Sequence, residues 1–280
     1  MKSAVVFAYH DVGVRCLRVL LDAGVAVPLV VTHRDDPGER LWFASVAELA
    51  RDRGIETLAD AQPAEIVSRL EKIQPDFIFS FYYRRMLPPE ILALAKRGAF
   101  NMHGSLLPKY RGRVPVNWAV LHGETETGAT LHEMTAKPDA GRIVDQQAVP
   151  IGPDDTAAEV FRRVTEAAAQ VLKRSLSPLL EGKAVLKPND LSQGSYFGGR
   201  RPEDGRIDWR KSAQEIHNLV RAVAPPYPGA FCDRLKVLRT AMTQLATPKR
   251  AVGPYQENGE WFALCGDGKV LRLLEVEPRQ

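Results

Sequence analysis

The sequence predicts an α/β fold: a mostly parallel sheet with helices on both faces, followed by a smaller β-rich domain. Three observations carry this reading. Short runs rich in Val, Ile and Phe alternate with segments of helical periodicity through residues 3–188, the pattern of strand–helix–strand units. Residues 189–202 are dense in Gly, Pro, Asn and Ser, which marks a linker. Beyond them, short runs are punctuated by Asn258-Gly259 and Asp267-Gly268, both hairpin signals. The expected organisation is therefore a first domain over 1–188, a linker over 189–202 and a second domain over 203–280.

Each element follows from local pattern. SAVVFAY, from residue 3, is a strand, and DVGVRCLRVLLDAG is a helix whose Val14, Leu17, Leu20 and Leu21 share one face. VAVPLVVT is a strand, SVAELARDRG a helix capped by Ser45, and PAEIVSRLEKI a helix opened by Pro63. DFIFSFYY reads as a buried strand, PPEILALAKRG as a helix and AFNMH as the next strand. GATLHEMT and GRIVDQQAVPI are strands, and the long amphipathic helix after them has Asp155 or Thr156 as its cap. SAQEIHNLVRAV is the one helix expected in the second domain.

Composition narrows the function. The net charge is +4 over 280 residues, with acids interleaved among the bases, which favours a small anionic substrate over a nucleic-acid platform. Cys16, Cys232 and Cys265 are scattered and show no C-x-x-C spacing, so neither a zinc site nor a disulfide framework is expected. No signal-like leader and no apolar run of about 18 residues is present, and a cytoplasmic location without membrane insertion is expected. The chain lacks G-x-G-x-x-G and G-x-x-x-x-G-K-[ST], so the parallel sheet does not itself imply NAD or ATP.

The stretch FNMHGSLLPKYRGRVP, from residue 100, stands apart. Asn101 and His103 lie two residues apart at a strand's carboxyl end, so they share a face where such sheets bind ligands. An Asn amide suits an oxygen that becomes negative, and a His moves protons near neutral pH. Together they fit acyl transfer. No G-x-S-x-G elbow exists and no cysteine neighbours the stretch, so the attacking group would come from the substrate. Asp139, in the turn TAKPDAG shaped by Pro138 and Gly141, is a candidate partner for His103 that would fix its tautomer. His10, His33, His122, His132 and His217 show no ligand spacing and read as surface or packing residues.

These residues resemble the signature of the 10-formyltetrahydrofolate-dependent formyltransferases: N-x-H followed by S-L-L-P, then Lys109-Tyr110-Arg111-Gly112, then a distant Asp139. The resemblance spans the chain, through VVFAYHDVG, FSFYYRRML, HGETETG and RAVAPPYPGAF. Within the family the flanks, THRDDPGE and FYYR among them, are most similar to the UDP-4-amino-4-deoxy-L-arabinose formyltransferases of lipid A modification and polymyxin resistance. The resemblance implies a Rossmann-like sheet with a small C-terminal β-barrel of OB type. It implies Asn101 on the oxyanion, His103 as the proton-transfer residue and Asp139 holding it. It places 10-formyltetrahydrofolate, without a metal, against Arg85, Met86, Leu87, Arg113, Thr135, Ala136, Lys137, Pro138 and Asp139. Ser105 and Lys109 are weaker substrate candidates, Lys109 facing an anionic diphosphate. The partners implied are a nucleotide sugar and folate, with no nucleic acid. Methionyl-tRNA formyltransferase is the nearest alternative, disfavoured by the lack of a lysine-rich insertion before SVAELA. A non-catalytic folate- or nucleotide-binding regulator is the alternative of another class. Because the chain stops at Gln280, formylation without a second activity is expected.

Overall fold

The computed structural model describes residues 2–35 and 41–279, so part of THRDDPGE lies outside the described residues. The chain folds as two compact units. One holds residues 1–112, 128–149 and 163–196; the other holds 113–127, 150–162 and 197–280. The units are thus discontinuous in sequence, whereas the expected domain boundaries were linear.

The first unit is built on a seven-stranded sheet of order β3-β2-β1-β4-β5-β7-β8. Its strands are β1 (Ser3–Ala8), β2 (Ala26–Thr32), β3 (Glu56–Ala59), β4 (Phe77–Phe81), β5 (Ala99–His103), β7 (Glu126–Glu133) and β8 (Ile143–Pro150). The first five run parallel, and β7 joins β5 antiparallel. Helices α1 (His10–Asp22), α2 (Val46–Asp52), α3 (Pro63–Ile73) and the single turn α4 (Pro89–Leu92) connect the parallel strands. Ala4, Val5, Val6 and Phe7 of β1 are all fully buried, which requires cover on both sheet faces. One of those faces packs Val5, Phe7, Leu29, Val31 and Ile78 against Ile66, Leu70 and Ile91.

Two expectations change. The helix expected over PPEILALAKRG is one turn long, because Leu94 and Ala95 instead pack onto the core cluster from a non-helical segment. Edge strand β3 was not expected from the sequence; it holds four residues, none fully buried, so its apolar pattern is faint. Helix α6 (Ala157–Glu181) takes Thr156 as its cap: the hydroxyl accepts from the Glu159 amide, and Glu159 answers with a carboxylate to the Thr156 amide, a reciprocal capping box.

In the second unit, α5 (Pro115–Leu121) and α7 (Ala213–Val223) accompany a five-stranded antiparallel sheet of order β10-β11-β14-β13-β12. Its strands are β10 (Ala230–Phe231), β11 (Leu235–Met242), β12 (Gly253–Glu257), β13 (Glu260–Leu264) and β14 (Val270–Pro278). Asn258 and Gly259 take φ of +49° and +82° at the hairpin tip, as a two-residue turn of that hand requires. The expected linker contains strand β9 (Tyr196–Phe197), paired with β6 (Arg111–Gly112). Among the described residues no helix is long and apolar enough to cross a membrane.

Candidate active site

Strand register builds the site. The antiparallel pairing of β5 with β7 sets Asn101 opposite His132 and His103 opposite Thr130. Directly opposed side chains stand on one face within contact reach. The turn between β7 and β8 then returns Asp139 to the same place. Asp139 takes a φ of +49°, tolerated by Asp better than by most residues. Asn189 clamps the turn by donating to the carbonyls of Asp139 and Gly141 at 3.0 and 3.1 Å. Gly141 is required there, since a Cβ would lie 2.0 Å from the Glu133 carbonyl oxygen.

The carboxylate of Asp139 sits between two imidazoles. Its Oδ1 is 3.6 Å from His103 Nδ1 and 3.5 Å from His132 Nε2, while its Oδ2 accepts from the Gly112 amide at 2.8 Å. Burial pushes the Asp139 carboxyl up, but the charge His103 brings, the facing His132 and the Gly112 N–H together hold it well below the usual carboxylate range. Asp139 is therefore an anion throughout the neutral range, and its attraction to a protonated ring at this distance is about 4 kcal/mol.

The two histidines face different partners. His132 Nδ1 lies 2.7 Å from the Glu133 carbonyl, which can only accept, so Nδ1 carries the proton. In the neutral ring Nε2 then accepts from Asn101 Nδ2 at 3.1 Å, leaving the second amide hydrogen of Asn101 for another acceptor. His103 Nε2 donates to the Tyr110 carbonyl at 2.8 Å. Its tautomer is therefore set by Tyr110, where Asp139 had been expected to set it, and Nδ1 is the nitrogen left to exchange a proton beside the Asp139 charge.

The loop after β5 is braced from within. Ser105, expected as a weak substrate contact, is fully buried and donates its hydroxyl to the Lys109 carbonyl at 2.7 Å. Its carbonyl accepts from Thr130 at 2.6 Å, and Gln146 bridges Thr130 and the Leu107 carbonyl. Lys109 is exposed. Arg111, only 9% exposed, has a buried Nε without a hydrogen-bond partner.

Asn101, His103 and Asp139 are thus brought together. Among the residues expected at the cofactor, Thr135, Ala136 and Lys137 are exposed on the approach to Asp139. Arg85 pairs with Asp60, Met86 is 59% exposed and Leu87 is buried. Arg113, in the second unit, is exposed and donates its amide to the Phe197 carbonyl. His132 is the residue that sequence reasoning missed. The signal was present in LHEM as a polar residue on an inward strand position, but its partner emerges only from the pairing register.

Comparison with known proteins decides the family. A family model described as "Formyl transferase" matches residues 14–176, and one for the "Formyl transferase, C-terminal domain" matches 200–280. The chain belongs to the formyl transferase family. Asn101, His103, His132 and Asp139 all fall within the first match. Among solved structures, an N-formyltransferase from Helicobacter canadensis, crystallised with folinic acid and dTDP-3-aminofucose, aligns with a TM-score of 0.79 and 21% identity over the whole of both chains. WlaRD, a sugar 3N-formyl transferase studied with dTDP and 5-N-formyl-THF, gives 0.78 and 21% over 98% of this chain and 97% of that one. Glycinamide ribonucleotide transformylase 1 from Symbiobacterium toebii gives 0.58 and 25% over 68% of this chain and 95% of that one.

Proposed function

We propose that the protein is an N-formyltransferase that moves the formyl group of 10-formyltetrahydrofolate to the amino group of a nucleotide-linked amino sugar, with UDP-4-amino-4-deoxy-L-arabinose as the acceptor. The observation that carries the chemistry is the approach of His103 and His132 to the largely buried Asp139 carboxylate, with Asn101 bonded to His132. Cys16 and Cys265 are buried with their thiols pushed up, Cys265 to about 12, so neither forms a thiolate at neutral pH. The attacking group is assigned to the substrate's own amine.

The residues fit a one-carbon donor. When bound, 10-formyltetrahydrofolate supplies an activated formyl carbon; Arg85, Met86, Leu87 and the run from Thr135 to Asp139 are assigned to hold it. The free hydrogen of Asn101 Nδ2 stabilises charge growing on the formyl oxygen. An amine attacks only after losing a proton. His103 Nδ1 accepts that proton, because Asp139 is too weak a base to hold it, and the resulting imidazolium is stabilised between Asp139 and the Tyr110 carbonyl. The same proton is then returned to the departing nitrogen. His132 orients Asn101, and Lys109 faces the diphosphate.

Full-length structural likeness to two sugar N-formyltransferases supports the sugar acceptor, and the flanking motifs support the arabinose branch. The cytoplasmic location and the division at 189–202 stay part of this proposal. The test is formyl transfer from 10-formyltetrahydrofolate to the amino sugar by the wild type, Asn101→Ala and His103→Ala. Both variants should fold normally and lose at least about two orders of magnitude in rate; near-normal rates in both would remove the catalytic assignment.

A further inference from the structure

A second Asp–His pair stands at the carboxyl edge of the same sheet, at the ends of β2, β3 and β4. His33 follows β2 directly, Asp60 follows β3, and Tyr82, Tyr83 and Arg84 follow β4. The His33 side chain is 6% exposed. Its Nδ1 lies 3.2 Å from Asp60 Oδ1, and the Arg84 amide donates to its Nε2 at 3.1 Å. A carboxylate accepts and an amide N–H donates, so the ring carries one proton, on Nδ1, with no freedom of tautomer.

We propose that His33 is a positioning residue: it latches the loop 82–87 to the sheet edge, with Asp60 as its anchor, and so sets the height of Arg85, Met86 and Leu87 for the folate. This rests on the assignment of those three residues to the cofactor made above. Four contacts converge on the loop. Tyr83 stacks on the His33 ring with centroids 4.3 Å apart and meets Phe7 edge-on at 5.3 Å. Arg85 reaches Asp60 Oδ1 at 3.3 Å and the Ala61 carbonyl at 3.5 Å. Asp60 is itself held by the Arg34 amide at 3.2 Å. Asp60 and Tyr82 leave their strands with φ of +56° and +58°, so both loops start from fixed turns. The exposed Met86 therefore follows three residues held by the Tyr83 ring, the Arg84 amide and the Arg85 guanidinium.

The latch responds to acid. A second proton on Nε2 sets an N–H against the Arg84 N–H and breaks that bond. The groups facing the ring are Asp60, Arg84, Arg85, Tyr83 and Tyr9, the last bonded to Asp35. Burial above all, then Arg85 and Arg84, keep the His33 ring below its ordinary value despite the pull of Asp60. The latch is closed at neutral pH and opens on acidification.

Amide hydrogen exchange of the ligand-free full chain tests this. After correction for intrinsic rates, peptides covering 82–87 should exchange at least tenfold faster in His33→Ala than in the wild type at pH 7. His33→Gln, which keeps an acceptor for Arg84 and a donor for Asp60, should restore protection and remove the acceleration expected of the wild type on acidification. The Kd for 5-formyltetrahydrofolate, measured by calorimetry, should rise about tenfold in His33→Ala and return in His33→Gln. Equal protection of 82–87 in the wild type and His33→Ala, or an acid response unchanged in His33→Gln, overturns the latch. If His33→Ala does not fold, the comparison of wild type with His33→Gln across pH decides alone. A wild type that binds no folate refutes the cofactor assignment, and exchange still decides the latch.

Discussion

Two Asp–His pairs stand on one sheet, and the difference between them lies in what each ring faces. His103 stands between two acceptors, the Tyr110 carbonyl and the Asp139 carboxylate, so both nitrogens can hold a proton at once. His33 stands between an acceptor and a donor, Asp60 and the Arg84 amide, so it holds one. Asp139 is 12% exposed and shared by two rings, whereas Asp60 is 37% exposed and shared with Arg85. Distance and burial alone do not separate the proton-passing role proposed for His103 from the bracing role proposed for His33; the polarity of the second partner is what differs between them.

The sharpest way to break this comparison is to remove the charge on one side only. Asp139→Asn keeps the volume but deprives the His103 ring of its anion, and kcat for formyl transfer should fall by about a thousandfold. Asp60→Asn should change kcat by about threefold or less at saturating folate, so equal losses in steady-state assays of the two variants would erase the distinction. Because Asp139 is held well below the usual carboxylate range, it stays ionised above its ordinary value.

His132→Leu tests whether the third member works through Asn101. Losing the Nε2 acceptor frees the Asn101 amide to rotate, and kcat should drop about tenfold while the melting temperature moves little; an unchanged rate would make His132 a packing residue. A smaller effect is expected on stability. His10 is stacked on Phe43 with centroids 4.0 Å apart and accepts from the Asp11 amide. Burial, with help from Arg84, lowers it to about 3. The folded form resists the proton that the unfolded chain takes up below about 6.5, so this contribution is complete above that pH and declines as pH falls toward 3. At pH 5 the loss is about 2 kcal/mol, and urea titrations of His10→Asn should show a shallower decline than the wild type. Least of all, Thr156→Ala should cost about 1 kcal/mol by removing the cap of α6.

Most of the fold was legible because periodicity reports burial. The runs of β1, β2 and β4 are predominantly apolar, and the caps Ser45 and Thr156 and the start at Pro63 announce their helices. Strand β3 and the shortened α4 escaped because tertiary contacts, not local pattern, decide them. Asn101, His103 and Asp139 were readable as a motif. His132, Asn189 and the Tyr110 carbonyl were not, since their roles follow from strand register, from a side chain closing a turn 50 residues upstream and from a backbone oxygen that carries no residue identity.

Formyl transfer to a sugar amine at the cluster of Asn101, His103 and Asp139 is open to direct assay. The most direct test incubates the wild-type chain with 10-formyltetrahydrofolate and, in separate reactions, UDP- and dTDP-linked amino sugars, glycinamide ribonucleotide and methionyl-tRNA, reading products by mass. One formyl group should appear on the amine of a nucleotide sugar, UDP-4-amino-4-deoxy-L-arabinose foremost, with tetrahydrofolate released in equal amount. Formylation of methionyl-tRNA alone, or of no amino sugar, would contradict this expectation.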